Sequence, residues 1–327
     1  MNNALLSVII NTYPPKAKYL KESIEGLLSQ TFKSFEIIVI NDGFDKETAD
    51  IINSYSKIFP ITYNFRKNDA YVSRSRNIGA RLAKTDILIF IDSDIILNPN
   101  ALETYYKYLK DENNLSVWGK YGELKQDSLE INCENIFDDR MIFFVNDKAR
   151  EYLENYNIYT PYGFKVFLIS TSANFGISKE LFFKVNGFSE AYRGWGHEDI
   201  NFGYKLYKQN VKFKFVKESW GLHLAHEKNG LFYENKLISK NEERLNIFLG
   251  EEYAQYLSLN DELVIKEHEK LFYLDPRTEL ISHKILINYL LHKNSIEKIN
   301  KYCQKHKIIW KRIINQQNFE EILIEKL

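Results

Sequence analysis

Two carboxylates separated by a serine, Asp92-Ser93-Asp94, directly follow the apolar run Ile87-Leu-Ile-Phe-Ile91. Hard oxygen donors at the mouth of a buried strand suit Mg²⁺ or Mn²⁺, ions that keep several waters and bridge to substrate phosphates. The triplet also arises by chance on solvated loops, so its place after a core strand is what gives it weight. A third acid, Asp42, follows the run Phe35 to Ile40. It suits a hydrogen bond to a nucleoside, although Asn41-Asp42-Gly43 is also ordinary turn chemistry. Arg74, Arg76 and Asn77 stand near the start of a helix, where a guanidinium could meet a diphosphate or an ion-pair partner.

A richer stretch is Gly194-Trp195-Gly196-His197-Glu198-Asp199. Small residues flanking a large aromatic make a loop with a stacking platform, and the two acids then open a helix whose N-terminal dipole favours their ionised form. A carboxylate there could take a proton from an acceptor hydroxyl. The plainer reading is a capped helix start with a packing tryptophan. His223 and His226 follow the strand predicted at Val211 to Val216 and a turn predicted at Trp220-Gly221, and they offer imidazole nitrogens to the same ion or serve as structural histidines.

The elements that must position these residues follow from hydrophobic spacing. Leu6 to Ile10, Phe35 to Ile40, Ile61 to Phe65 and Ile87 to Ile91 read as strands, alternating with helices over Lys18 to Leu28, Lys46 to Tyr55 and through Ile78 and Leu82. Unbroken apolar runs in alternation with helices predict an α/β chain, a mostly parallel, doubly wound sheet with helices on both faces. Ligands of such sheets bind beyond the carboxyl ends of the strands, where Asn11-Thr12-Tyr13, Asn41-Asp42-Gly43 and Asp92-Ser93-Asp94 all fall. A strand is also expected within Phe167 to Ile177, with a helix starting at Ser178.

Length and composition narrow the class. The 327 residues are 44% hydrophobic and 27% charged, enough for a sizeable core and about two domains. Lys plus Arg and Asp plus Glu are 44 each, so no global field favours nucleic acid. Cys133 and Cys303 form no pair motif, and no apolar run approaches the ~20 residues of a membrane span, so a cytoplasmic chain is expected, either free or peripheral at the inner face of a membrane.

Taken in order, Ser7-Val-Ile-Ile-Asn-Thr-Tyr, Glu36-Ile-Ile-Val-Ile-Asn-Asp42-Gly, Arg76-Asn-Ile-Gly79, Asp92-Ser-Asp94 and Gly194-Trp-Gly-His-Glu-Asp199 resemble family 2 glycosyltransferases of the GT-A fold. Asn174-Phe-Gly-Ile-Ser-Lys-Glu-Leu-Phe followed by Val185-Asn-Gly-Phe is similar to the C-terminal module of galactosyltransferases and N-acetylgalactosaminyltransferases, including bacterial chondroitin-type polymerase domains. The resemblance spans about residues 5 to 235. It implies that Asp42 contacts the nucleoside, with Thr12, Tyr13, Arg76 and Ser93 beside the nucleotide. Asp92 and Asp94 become the diphosphate-metal motif, Trp195 the platform for donor and acceptor, Asp199 the catalytic base with Glu198 beside it, and His226 a further metal ligand. His223 stands where related galactosyltransferases place a methionine ligand. Tyr13-Pro14-Pro15 replaces the Tyr-Asn-Arg type of loop. The implied reaction is inverting transfer of a hexose or N-acetylhexosamine from a UDP-sugar, with Mn²⁺ or Mg²⁺, to a glycan or peptide acceptor.

Other classes weigh less. A nucleotidyltransferase should carry a Gly-rich loop after the first strand, a dinucleotide oxidoreductase a G-x-G-x-x-G, and neither is present. A catalytically weak sugar-nucleotide-binding module of the same fold stays open as the alternative. Beyond Gly250, glycine disappears and Ile296, Ile299, Tyr302, His306, Ile309 and Ile313 fall at helical spacing, predicting a helical module over 251–327 after a transferase domain over 1–250. From Lys284 to Arg312 eight basic residues face one acid, Glu297. A packing cap with a solvated basic face, acceptor binding, a homodimer contact and an anionic membrane surface are the roles open to it.

Overall fold

The computed structural model describes residues 4–14, 16–124, 142–144, 167, 170–224, 233–237, 239–241, 244, 283, 286–287, 290–291, 294–314 and 320–326. By contacts the chain divides into two compact units, Met1–Glu242 and Glu243–Leu327.

In the first unit, β1 (Leu6–Thr12), α1 (Ala17–Leu28), β2 (Phe35–Asp42), α2 (Lys46–Tyr55), β3 (Ile61–Arg66), α3 (Val72–Leu82) and β4 (Ile87–Asp92) alternate as the spacing predicted. There follow β5 (Ile95–Leu97), α4 (Ala101–Leu109), β6 (Leu115–Leu124), β7 (Ile142–Phe144), β8 (Asn174–Ser178), α5 (Lys179–Lys184), α6 (Glu198–Lys208) and β9 (Lys212–His223). The strands form one sheet in the order β3-β2-β1-β4-β8-β6-β9-β5, with β7 on β6. Ile9, Ile38 and Ile89 are fully buried in neighbouring strands, and each such side chain contributes roughly 1.5–3 kcal/mol. Gly79 of α3 faces Ile9, where an added Cβ would lie 2.3 Å from a side-chain carbon; the missing side chain lets the helix lie close on β1.

Parallel pairing dominates the first half and returns where β6 pairs with β9, with antiparallel strands between and beside them. β3, β2, β1 and β4 run parallel, whereas β8 pairs antiparallel with both β4 and β6, and β5 antiparallel with β9. The first half is built from successive strand-helix-strand crossovers, which impose parallel pairing, whereas β8 enters between β4 and β6 in the opposite direction. Of the strand expected over Phe167 to Ile177, the described residues 170–173 are not strand, and the strand runs over Asn174–Ser178, where Ser178 also caps α5 by accepting from the Leu181 amide. No turn interrupts β9 at Trp220-Gly221; the irregularity is a register shift against β6 between Gly119 and Tyr121.

The second unit contains α7 (Ile296–His306), β10 (Ile308–Ile314) and β11 (Glu320–Lys326), the two strands forming an antiparallel hairpin. The helical stripe drawn through Ile313 therefore ends at His306. Lys307 adopts a left-handed φ of 53°, which terminates the helix, and the β-branched run after it favours an extended chain.

Candidate active site

Parallel pairing of β1, β2 and β4 aligns their carboxyl ends. Thr12 lies opposite Asn41, and Asn11 opposite both Ile40 and Asp92. Four buried oxygens at this edge, on Asn11, Thr12, Asn41 and Asp42 (Oδ2), have no hydrogen-bond partner among the described residues. Buried polar atoms without partners cost free energy, so this concentration makes the edge the candidate place for a polar ligand. Asp42 is 2% exposed, and its Oδ1 is engaged by Arg66 and, at 3.4 Å, by the Asp69 amide. Burial raises its pKa above the ordinary carboxylate value while Arg66 opposes the shift. Arg66 and Asp69 were not singled out from the sequence, because a partner across a strand pair leaves no local pattern.

Asp92 ends β4 and Asp94 follows two residues on, after Ser93. Asp94 is 1% exposed and pairs with the ammonium of Lys16, which precedes α1. Antiparallel pairing of β5 with β9 sets His223 opposite Ile95, and the Leu224 amide donates to the Asp94 carbonyl at 2.8 Å. The His223 Nε2 thereby lies 3.8 Å from Asp94 Oδ2. Carboxylate oxygens with an imidazole nitrogen form a donor set that fits Mn²⁺ or Mg²⁺, with the remaining positions left to phosphate and water. Among the described residues no three His, Cys, Asp or Glu side chains are grouped so as to hold a metal ion by themselves. His226 lies outside the described residues, and Ser93 is buried in the loop. Tyr13 and Tyr233 share a side-chain hydrogen bond beside these acids; burial, with Asp94 nearby, pushes the Tyr13 hydroxyl up to about 12.

The acids at the start of α6 reach the same edge through Arg76. This residue of α3 is 3% exposed and donates to Asp92 Oδ1 at 2.9 Å and to Glu198 Oε1 at 3.0 Å. The arginine considered for a diphosphate is thus committed to two carboxylates, and it ties the start of α6 to the end of β4. Arg74 pairs with Asp69 and Glu190, and Asn77 holds the Phe188 backbone from both sides. Asp199 is half-buried. Burial first, then the Glu198 charge, raises its pKa to about 7 against the opposing pull of Arg76. The helix dipole, expected to favour ionisation, is outweighed by desolvation and a like charge in the adjacent position.

Trp195 is 51% exposed between Gly194 and Gly196, whose φ values of 76° and 105° disfavour any side chain. Asn241, which nothing in the sequence marked, accepts from the Arg193 amide and donates to the carbonyls of Arg193 and Trp195. The Trp195 ring lies 6.4 Å from that of Tyr233.

An acidic strand edge, buried polar atoms without partners among the described residues, and a helix opening on two acids coincide with a family match. The model of glycosyl transferase family 2 matches residues 7–182, more than half of the chain. The chain belongs to that family. A second family model, the N-terminal domain of galactosyltransferase, matches residues 165–227, the stretch that supplies α6, the Trp195 loop and β9. Relatives of this family 2 chain include validoxylamine A glucosyltransferase of Streptomyces hygroscopicus subsp. jinggangensis, 28% identical over 238 residues covering 68% of this chain and 56% of that protein. Chondroitin synthase of Escherichia coli is 27% identical over 241 residues, 67% of this chain and 34% of that one. The chain thus spans about half the length of the first and a third of the second. Among solved structures, GalNAc-T7 with UDP, GalNAc and Mn²⁺ superposes with a TM-score of 0.55 at 17% identity, covering 74% of this chain and 47% of that one. Staphylococcus aureus TarS gives 0.53 at 14% identity, over 97% and 60%. These likenesses establish the GT-A fold. Among the described residues no helix is long and apolar enough to cross a membrane.

Proposed function

We propose that this chain moves a hexose or N-acetylhexosamine from a UDP-sugar to a hydroxyl of a glycan or peptide acceptor, with inversion at the anomeric carbon. The observation that carries the reading is Arg76, whose one guanidinium spans from Asp92, beside the place for a diphosphate, to Glu198, next to the candidate base. Asp42 Oδ2 accepts a hydrogen bond from the nucleoside, with Thr12 and Tyr13 beside it. Asp94, Asp92, His223 and His226 would hold Mn²⁺ or Mg²⁺, which when bound offsets charge on the leaving diphosphate. GalNAc-T7, a structural neighbour, was crystallised with UDP and Mn²⁺, which supports this pairing of donor and ion.

Asp199 takes the proton of the acceptor hydroxyl as its oxygen attacks the anomeric carbon and the bond to the diphosphate breaks. A carboxylate held near the working pH is well matched to accept a proton at that moment. One base on the face opposite the leaving group gives a single displacement, hence a β product from an α-linked donor. Trp195 supplies an apolar face for the sugars, and Arg76 keeps Glu198 paired and the start of α6 in place. The basic stretch from Lys284 to Arg312 is left for acceptor binding or for packing of the second unit.

The test is a panel of nucleotide sugars with Mn²⁺, read as slow hydrolysis to UDP and free sugar, which reports the donor without knowledge of the acceptor. Hydrolysis of one UDP-sugar above all others supports the reading. UDP binding without turnover of any donor would favour the binding-module alternative.

A further inference from the structure

The turn between β3 and α3 carries contacts that sugar transfer, as derived above, does not use. At one end, Arg66 engages Asp42 and donates to Asp69 Oδ1 at 2.6 Å, while Arg74 donates to Asp69 Oδ2 at 2.8 Å. At the other end, two consecutive carbonyls of the same turn hold the Trp195 loop. The Asp69 carbonyl accepts from Arg193 Nε and the Ala70 carbonyl from the Gly194 amide, both at 2.8 Å. Ala70 is fully buried with a φ of 59°, a conformation an alanine keeps only where its surroundings enforce it. The Arg193 guanidinium also lies 5.6 Å from the centre of the Tyr71 ring. One short segment, 66–71, therefore grips the candidate nucleoside carboxylate with its first residues and the immediate neighbours of Trp195 with its last.

We propose that Asp69 and Arg193 are positioning residues that hold the Trp195 loop in register with the nucleoside end of the donor site, so that a nucleotide on Asp42 limits the freedom of the Trp195 ring. The inference rests on the reading of Asp42 as a nucleoside contact. A ligand on Asp42 Oδ2 loads a carboxylate whose Oδ1 is already shared by Arg66 and the Asp69 amide. Charge-assisted bonds on both oxygens of Asp69 transmit that load to the turn as a unit, because neither side chain can shift without breaking a bond of the other. Asn241 holds Arg193 and Trp195 from the opposite side, so removing the Arg193 guanidinium loosens the loop toward the donor without unfolding it.

The test uses the full chain with UDP and Mn²⁺ as the probe. Acrylamide quenching of the chain minus that of Trp195→Phe isolates Trp195 from Trp118, Trp220 and Trp310. Saturating UDP is expected to lower the Trp195 quenching constant about twofold in the parent chain, as a ring of restricted freedom requires. Arg193→Met should bind UDP within about twofold of the parent by calorimetry yet lose most of that protection. Arg193→Lys, which keeps a donor for the Asp69 carbonyl, should restore part of it. If Arg193→Met does not fold, Asp69→Asn decides: it keeps the shape but drops the charge that anchors both arginines, and protection at saturating UDP should again be lost. Full protection in either variant, or none in a parent chain that binds UDP, overturns the inference alone. A parent chain that binds no UDP overturns the proposed function and the inference together.

Discussion

Replacing Asp199 by asparagine removes the only group proposed to take the acceptor proton while keeping its size. Positioned base catalysis contributes about 10² to 10⁴ in rate, so turnover should fall by that order with UDP affinity nearly unchanged. The pH dependence is the sharper signature. Burial and the Glu198 charge lift Asp199 from 3.8 to about 7. Its base form therefore predominates only above neutrality, so the parent rate should fall steadily from its plateau as the pH drops from 8 toward 5. In Asp199→Asn the residual rate should lose this acid limb. Glu198→Gln removes the neighbouring charge and should move the limb to lower pH, because the second largest cause of the raised pKa is gone. The assay is UDP release from the best donor of the hydrolysis panel between pH 5 and 9, with NMR of the anomeric product. Asp199→Asn retaining more than about a tenth of parent turnover would falsify the assignment. A flat parent profile, or a first-formed free sugar of α configuration from an α-linked donor, would equally remove Asp199 from the mechanism.

The same carboxylate makes a stability prediction. A folded-state pKa raised above the unfolded one opposes folding once the unfolded group ionises, so the penalty grows from about pH 4 to pH 7 and is complete above it. Asp199→Asn should accordingly melt higher than the parent at pH 8 and alike at pH 4 in thermal scans; equal melting at both would contradict the raised pKa. Asp42→Asn should weaken UDP by about 10- to 100-fold in calorimetry, the worth of a hydrogen bond to a buried charge, and a smaller loss would place the nucleoside elsewhere. Asp94→Asn should abolish the increment in UDP affinity that Mn²⁺ provides, and equal affinity with chelator in the parent chain would refute a metal at this edge. A chain ending after Glu242 should still hydrolyse the donor, since every candidate residue lies in the first unit. Loss of hydrolysis in a soluble truncation would show that the second unit completes the site.

Much of the fold was legible because parallel strands buried on both faces declare themselves as unbroken apolar runs, and β1 through β4 fall within a residue or two of their expected places. The second half was harder. β8 joins the sheet antiparallel to both β4 and β6, and β9 lies parallel to β6 but antiparallel to β5, so their partners follow from packing across long separations and not from spacing. The tail misled because its isoleucines satisfy helical spacing while being β-branched, and only the left-handed Lys307 separates α7 from the hairpin.

The sequence by itself determined which residue types stand at the strand ends and that Glu198 and Asp199 open a helix, because strand termination and helix entry are local events written in adjacent residues. Tertiary structure alone decided their partners. Lys16 meets Asp94 across 78 positions, Arg76 meets Glu198 across 122, and Arg193 meets the Asp69 carbonyl across 124. It also decided that the Asp199 pKa is raised, since the shift comes from burial and from Glu198, and the depth of that burial is set by elements far away in the chain. Charge pairing and desolvation depend on distance in space, and distance in space is fixed only when the sheet has brought its strand ends to one edge.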